Sequence, residues 1–225
     1  MFVFLVHADG LRACLCVTAD KGVTGLKVND LCVAEINGCR RFCTVCAVLP
    51  NDDARYTPVA KCRILRAATE EDRARRETNR KLAEAAIKAF DTENAGAPQK
   101  PYAISAHFDE PRKHLELLFH ADRPFDARRS EASFRRRYSA EVAIRQVGIR
   151  DEVAAIGSIG PCGRPVCCAR WLDSVGSLNL NVRMAKKQNI SLNPSSLNGQ
   201  CDKLKCCLSF ELETDTQPSQ EKDVQ

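Results

Sequence analysis

The stretch Leu31-Cys32-Val33-Ala34-Glu35-Ile36-Asn37-Gly38-Cys39-Arg40-Arg41-Phe42-Cys43-Thr44-Val45-Cys46-Ala47-Val48-Leu49 decides the fold of the first third of the chain. Two β-rich runs flank an Asn-Gly pair, the strongest short hairpin signal, because both residues tolerate the positive φ of a tight turn. Working outward, Val3 and Leu5 alternate with their neighbours, and a strand at Cys14–Val17 follows the turn at Asp9-Gly10. Pro50-Asn51-Asp52-Asp53 closes the meander. Several short strands at regular spacing predict a small β-barrel over residues 1–66.

Beyond it the period changes from two to 3.6. Thr69 can N-cap a helix whose first turn carries Glu70, Glu71 and Asp72, where the positive end of the helix dipole favours acids. Leu82, Ala85, Ala86, Ala89 and Phe90 recur at helical spacing, so 67–95 reads as a connecting helix ending near Asp91. A hairpin over Tyr102–Asp109 and His114–His120, a helix over Phe125–Glu141 and a strand over Val142–Ile149 predict a small α/β layer at 96–150. Residues 151–211 form an irregular cysteine-rich segment, with short helices expected at Val166–Asp173 and Cys206–Phe210. Residues 212–225 read as a disordered acidic tail. The fold class is α+β.

The 225 residues include 13 cysteines. The longest apolar runs, Met1–Val6 and Val45–Leu49, are far short of the ~20 residues of a membrane span. The N-terminus lacks a basic region and is a poor export signal. A cytoplasmic location without membrane insertion is therefore expected. There an odd number of cysteines favours reduced thiols, some of them metal ligands.

Six thiols form two copies of one pattern. Cys162-Gly163-Arg164-Pro165-Val166-Cys167-Cys168 and Cys201-Asp202-Lys203-Leu204-Lys205-Cys206-Cys207 are both C-x4-C-C, and matching cysteines are 39 residues apart. Cys162, Cys167, Cys168, Cys201, Cys206 and Cys207 are the candidate metal ligands. A 4Fe–4S cluster needs four thiolates, and adjacent cysteines are easier to aim at a broad cluster than at one ion. Gly160, Gly163 and Gly199 are expected to bring backbone N–H groups toward sulfur. Structural zinc remains an alternative, although its sites favour C-x2-C knuckles. Redox disulfides or buried free thiols are a further one.

The other seven cysteines, Cys14, Cys16, Cys32, Cys39, Cys43, Cys46 and Cys62, lie outside this pattern. Cys43 and Cys46 are C-x2-C in sequence, but a strand points them to opposite faces, so they read as small hydrophobes rather than ligands. Arg128, Arg129, Arg135, Arg136, Arg137 and Arg145 are the densest basic feature. They read equally as a phosphate-holding surface and as a solvated helix face. Aromatic interleaving is too poor for a base-stacking platform. His107, His114 and His120 read as surface residues. The sequence contains no H-E-x-x-H, G-x-S-x-G, Walker loop or dinucleotide fingerprint, and a thiol redox enzyme, the remaining catalytic reading, lacks a C-x-x-C at a helix start.

Gly160-Pro161-Cys162-Gly163-Arg164, Val166-Cys167-Cys168, the run Met184-Ala185-Lys186-Lys187-Gln188-Asn189-Ile190-Ser191-Leu192-Asn193-Pro194, and Gly199 with Cys201–Cys207 resemble the RicT (YaaT) family. So do the barrel, Ala68-Thr69-Glu70-Glu71-Asp72 and Arg145-Gln146-Val147-Gly148-Ile149-Arg150-Asp151-Glu152. This family carries a PSP C-terminal domain. The resemblance implies a non-catalytic subunit of a cytoplasmic complex with RicA-like and RicF-like proteins. Such a complex carries 4Fe–4S clusters and works with RNase Y in mRNA processing and developmental regulation, with at most indirect or weak RNA contact by this chain. The competing reading from the residues alone is a zinc-stabilised nucleic-acid-binding module using the arginine helix.

Overall fold

The structure is a computed structural model and describes residues 3–11, 14–20, 22–49, 61–170 and 180–210. The turn expected at Pro50–Asp53 and the acidic tail lie outside the described residues, as does the end of the helix expected at Val166–Asp173. The chain divides into two compact units, 1–148 and 149–225.

In the first unit, strands β1 (Val3–Ala8), β2 (Cys14–Ala19), β3 (Leu31–Ile36), β4 (Cys39–Leu49) and β5 (Cys62–Ala67) form a closed barrel in the order β1-β2-β5-β3-β4. The hairpin closes as the sequence predicts. Ile36 pairs with Cys39 across Asn37 and Gly38, whose φ values of 52° and 84° are those of a type I′ turn. Period-two alternation sends Phe4, Val6, Ala8, Cys32, Ala34, Ile36, Cys43 and Val45 into one core. Closure removes the exposed strand edges that would otherwise invite aggregation.

Helix α1 (Glu70–Asn94) begins in a full capping box. The Thr69 hydroxyl accepts from the Asp72 N–H at 3.3 Å, and the Thr69 N–H donates back to Asp72 Oδ2 at 2.8 Å. Arg66 makes a two-point ion pair with the buried Asp72 carboxylate. Arg66 and the Thr69 contacts hold that carboxyl well below the usual carboxylate range, against the opposing effect of burial. The helix is a packed element rather than a linker. Ala83, Ala86 and Phe90 enter the core of the neighbouring sheet, whereas Ala85, expected inside, is exposed.

That sheet has the order β6-β7-β8, from β6 (Tyr102–Phe108), β7 (His114–His120) and β8 (Glu141–Gln146). β6 and β7 are antiparallel and β7 and β8 parallel, so a crossover is needed. Helix α2 (Arg128–Tyr138) supplies it and is shorter than the expected 125–141. Ser139 adopts φ 50° and ends it, and Glu141 already belongs to the strand. Phe90, Phe119 and Phe134 are fully buried between sheet and helices, with Phe90 and Phe119 ring centroids 5.2 Å apart. The arginines of α2 and Arg145 are exposed. Arg137 pairs with Glu93 at 3.0 Å and Arg145 with Glu116. His107 departs from the surface reading. Its ring packs on Gly10, and burial lowers its imidazole pKa to about 4, which keeps it neutral near pH 7.

In the second unit, helix α3 (Ile149–Ile156) begins where the sequence suggested a strand would end. It is followed by α4 (Cys167–Arg170), α5 (Val182–Lys187) and α6 (Pro194–Leu197), and residues 207–210 are again helical. The apolar core is small. Ala185, Leu197 and Leu208 are buried, with Leu180, Met184, Ile190 and Leu204 packed against them.

Candidate metal centre

The two cysteine triplets fold into two copies of one loop. In the first, the Gly160 N–H donates to Arg164 O at 2.8 Å, Gly163 N–H to Gly160 O at 2.9 Å, and Val166 N–H to Ser158 O at 3.0 Å. In the second, Gly199 N–H donates to Lys203 O at 2.8 Å, Asp202 N–H to Gly199 O at 3.1 Å, and Lys205 N–H to Leu197 O at 2.9 Å. Every donor and acceptor is displaced by the 39 residues that separate the cysteines. The isolated bridges Ile159–Pro165 and Asn198–Leu204 match too. So do the left-handed residues, Gly163 at φ 76° and Asp202 at φ 55°. In each loop the adjacent cysteine pair lies at the start of the short helix that follows, 167–170 and 207–210.

The glycines work differently from the sequence expectation. The Gly160 and Gly199 N–H groups close the loops onto carbonyls rather than meeting sulfur. Their missing side chains make room: a Cβ on Gly160 would sit 3.4 Å from Arg164 O and 3.6 Å from Cys162 Sγ. The corresponding Cβ on Gly199 would sit 3.7 Å from Lys203 O and 3.9 Å from Cys201 Sγ.

Both loops face one cavity of about 280 Å³, and Cys162, Cys167, Cys168, Cys201, Cys206 and Cys207 all line it. Val166, Ile190 and Leu208 supply apolar wall, which lowers the local dielectric. Cys201 is buried, Cys162 exposed, and the four adjacent cysteines are intermediate. Burial raises the Cys168 thiol and pushes Cys206 up to about 11, while Arg150 pulls both down. A metal bound here would therefore have to displace the protons of Cys168 and Cys206.

The donor set fits a sulfur-ligated cluster. Among the described residues, no three of these thiols lie within 4.8 Å of one another. Zinc–sulfur bonds of about 2.3 Å would draw tetrahedral thiolates to about 3.8 Å apart. Three of these thiols would have to close up for a single zinc ion to take them.

Arg150, on α3, is a cavity-lining cation that the spacing argument did not single out. It lines the cavity, its Nη2 donates to Leu204 O at 3.2 Å, and its buried Nε has no hydrogen-bond partner among the described residues. Its position four residues after Gln146 gave no chemical signal, because only the tertiary fold brings it to the thiols. Segment 184–194 does pack beside the second loop. Gln188 Nε2 donates to Leu208 O at 2.7 Å, and Ile190 reaches the cavity wall.

Residues 179–221, which contain α5, α6 and the second triplet, match the model of the PSP1-like protein, third domain. The chain is also similar to the Stage 0 sporulation protein YaaT of Bacillus subtilis (strain 168), at 33% identity over 108 residues. Both matches are partial, and both agree with the resemblance to the RicT (YaaT) family. The aligned stretch is 48% of this chain and 38% of that protein, so well under half of the relative is spanned. No solved structure matches the chain significantly. Among the described residues no helix is long and apolar enough to cross a membrane.

Proposed function

We propose that the chain is a non-catalytic iron–sulfur subunit of a cytoplasmic regulatory complex that modulates RNase Y-dependent mRNA processing, with RicA-like and RicF-like proteins as its partners. The observation that carries this reading is the convergence of two superposable cysteine loops on one cavity. A 4Fe–4S cluster bound there supplies a rigid, sulfur-ligated anchor. The chain contributes thiolates from both loops, an apolar wall that limits water, and the Arg150 guanidinium as a compensating cation. With so small an apolar core among the described residues of 149–225, ligation is the main source of order for that unit on this reading, and a docking surface built on it would depend on the metal.

The test is anaerobic reconstitution with RicA-like and RicF-like proteins, followed by size-exclusion chromatography with iron analysis of the fractions. The expected result is an iron-bearing ternary peak from the wild-type chain and none from Cys168→Ser or Cys206→Ser. Equal complex formation by metal-free protein, or no complex at all, would contradict the proposal.

A further inference from the structure

We propose that Cys39, Asp109 and His114 form a second metal site in the N-terminal unit, suited to a divalent ion of zinc type. Their donor atoms all lie within 4.8 Å of one another. The three come from separate places in the sequence: the residue after the Asn37-Gly38 turn, the end of the β6 hairpin arm, and the first residue of β7. The backbone brings them together. The Glu110 N–H donates to Arg40 O at 2.9 Å, which fastens the barrel hairpin to the loop between β6 and β7.

The placement of Asp109 and His114 suits a metal. The Asp109 side chain is 7% exposed, and its Oδ1 accepts from the His114 N–H at 2.8 Å. Its Oδ2 faces His114 Nε2 at 3.9 Å. Ligands about 2.0–2.3 Å from a tetrahedral zinc stand about 3.3–3.8 Å apart, so only slight contraction is needed. The other imidazole nitrogen, Nδ1, lies 3.1 Å from Glu141 Oε2. A carboxylate on the far nitrogen is what orients a metal-bound histidine and raises its basicity. One thiolate, one carboxylate and one imidazole are the mixed donors zinc accepts.

The same three residues line a cleft of about 1060 Å³, so a fourth coordination position opens to exchangeable ligand. Arg41 and Arg145 also line this cleft, but both pair with Glu116, which reduces their repulsion of a cation. This site is separate from the six-thiol cavity and does not depend on the cluster reading.

The test is to equilibrate the reduced full-length chain with Zn²⁺, desalt it, and count bound zinc. Both C39S and H114Q should hold one equivalent less than wild type, and their combination should lose no more than either alone. C46S, which changes an exposed cysteine of the same strand, should lose none. In a C206S background H114Q should still remove one equivalent, which separates this site from the C-terminal thiols. E141Q should keep the stoichiometry and weaken binding about 10–100-fold. Should C39S fail to fold by far-UV circular dichroism, H114Q, at a side chain 48% exposed, carries the same expectation. Wild-type zinc content in folded H114Q, or an equal loss in C46S, would overturn the proposal.

Discussion

In the barrel, Cys32, Cys43 and Cys62 sit among valine, isoleucine and phenylalanine side chains as small apolar groups. In the C-terminal unit, six cysteines line a cavity, and among the described residues no comparable apolar core lies behind them. The same residue type thus does opposite work in the two regions. A hydrogen bond with Cys32, together with burial, raises the Cys43 thiol far above its ordinary range, so it stays protonated and inert. Burial also raises Cys168 and Cys206, but these two face a cavity beside the Arg150 cation, where a metal could take the place of their protons. The first unit is held by burial of its own side chains, whereas on the proposed reading the second would be ordered by ligation.

The largest effect expected from this contrast is on metal removal. Hydrogen exchange of anaerobic holo and metal-free protein should show amides of 149–210 losing most of their protection while barrel amides keep theirs. Uniform loss across both units would break the contrast. Phe134→Ala is the mirror experiment. Emptying that fully buried site should destabilise the first unit by ~3–5 kcal/mol in denaturant titration and leave the iron content unchanged.

A smaller effect is expected at Asp72. Asp72→Asn weakens both the cap and the pairing with a half-exposed Arg66, and should cost ~1–3 kcal/mol. The native pKa of this carboxyl is depressed, so its contribution is complete above the unfolded value near ~4 and fades as pH falls toward the native one. Stability of the wild-type first unit should therefore decline below about pH 4, and Asp72→Asn should flatten that decline. The smallest change should come from cysteines of one strand. Cys43→Ala should lower barrel stability by ~1 kcal/mol and Cys46→Ala by almost nothing, since only the first is buried. Equal costs would mean that strand alternation does not assign their roles.

The barrel and the cap of α1 were legible because their determinants are local. Asn37-Gly38 dictates its own turn, and Thr69 with Asp72 closes the capping box within four residues. The buried side of α1 was partly misread, because Ala83 and Ala85 look alike in sequence and only the sheet decides which one it covers. Helix α3 was missed because Val147-Gly148-Ile149 continues a strand-like pattern, whereas the described strand stops at Gln146. The six thiols could be read from their spacing. The matching hydrogen-bond pattern of the two loops, the place of Arg150 and the grouping of Cys39 with Asp109 and His114 could not, because each arises from distant segments meeting.

Iron and acid-labile sulfide analysis of anaerobically purified protein tests the shared-centre account most directly, with wild type compared against Cys168→Ser and Cys206→Ser. Iron and sulfide in the wild type, lost when either loop is altered, is the predicted result. Wild-type protein devoid of both, or iron that survives substitution in one loop, would contradict a centre built from the two loops together.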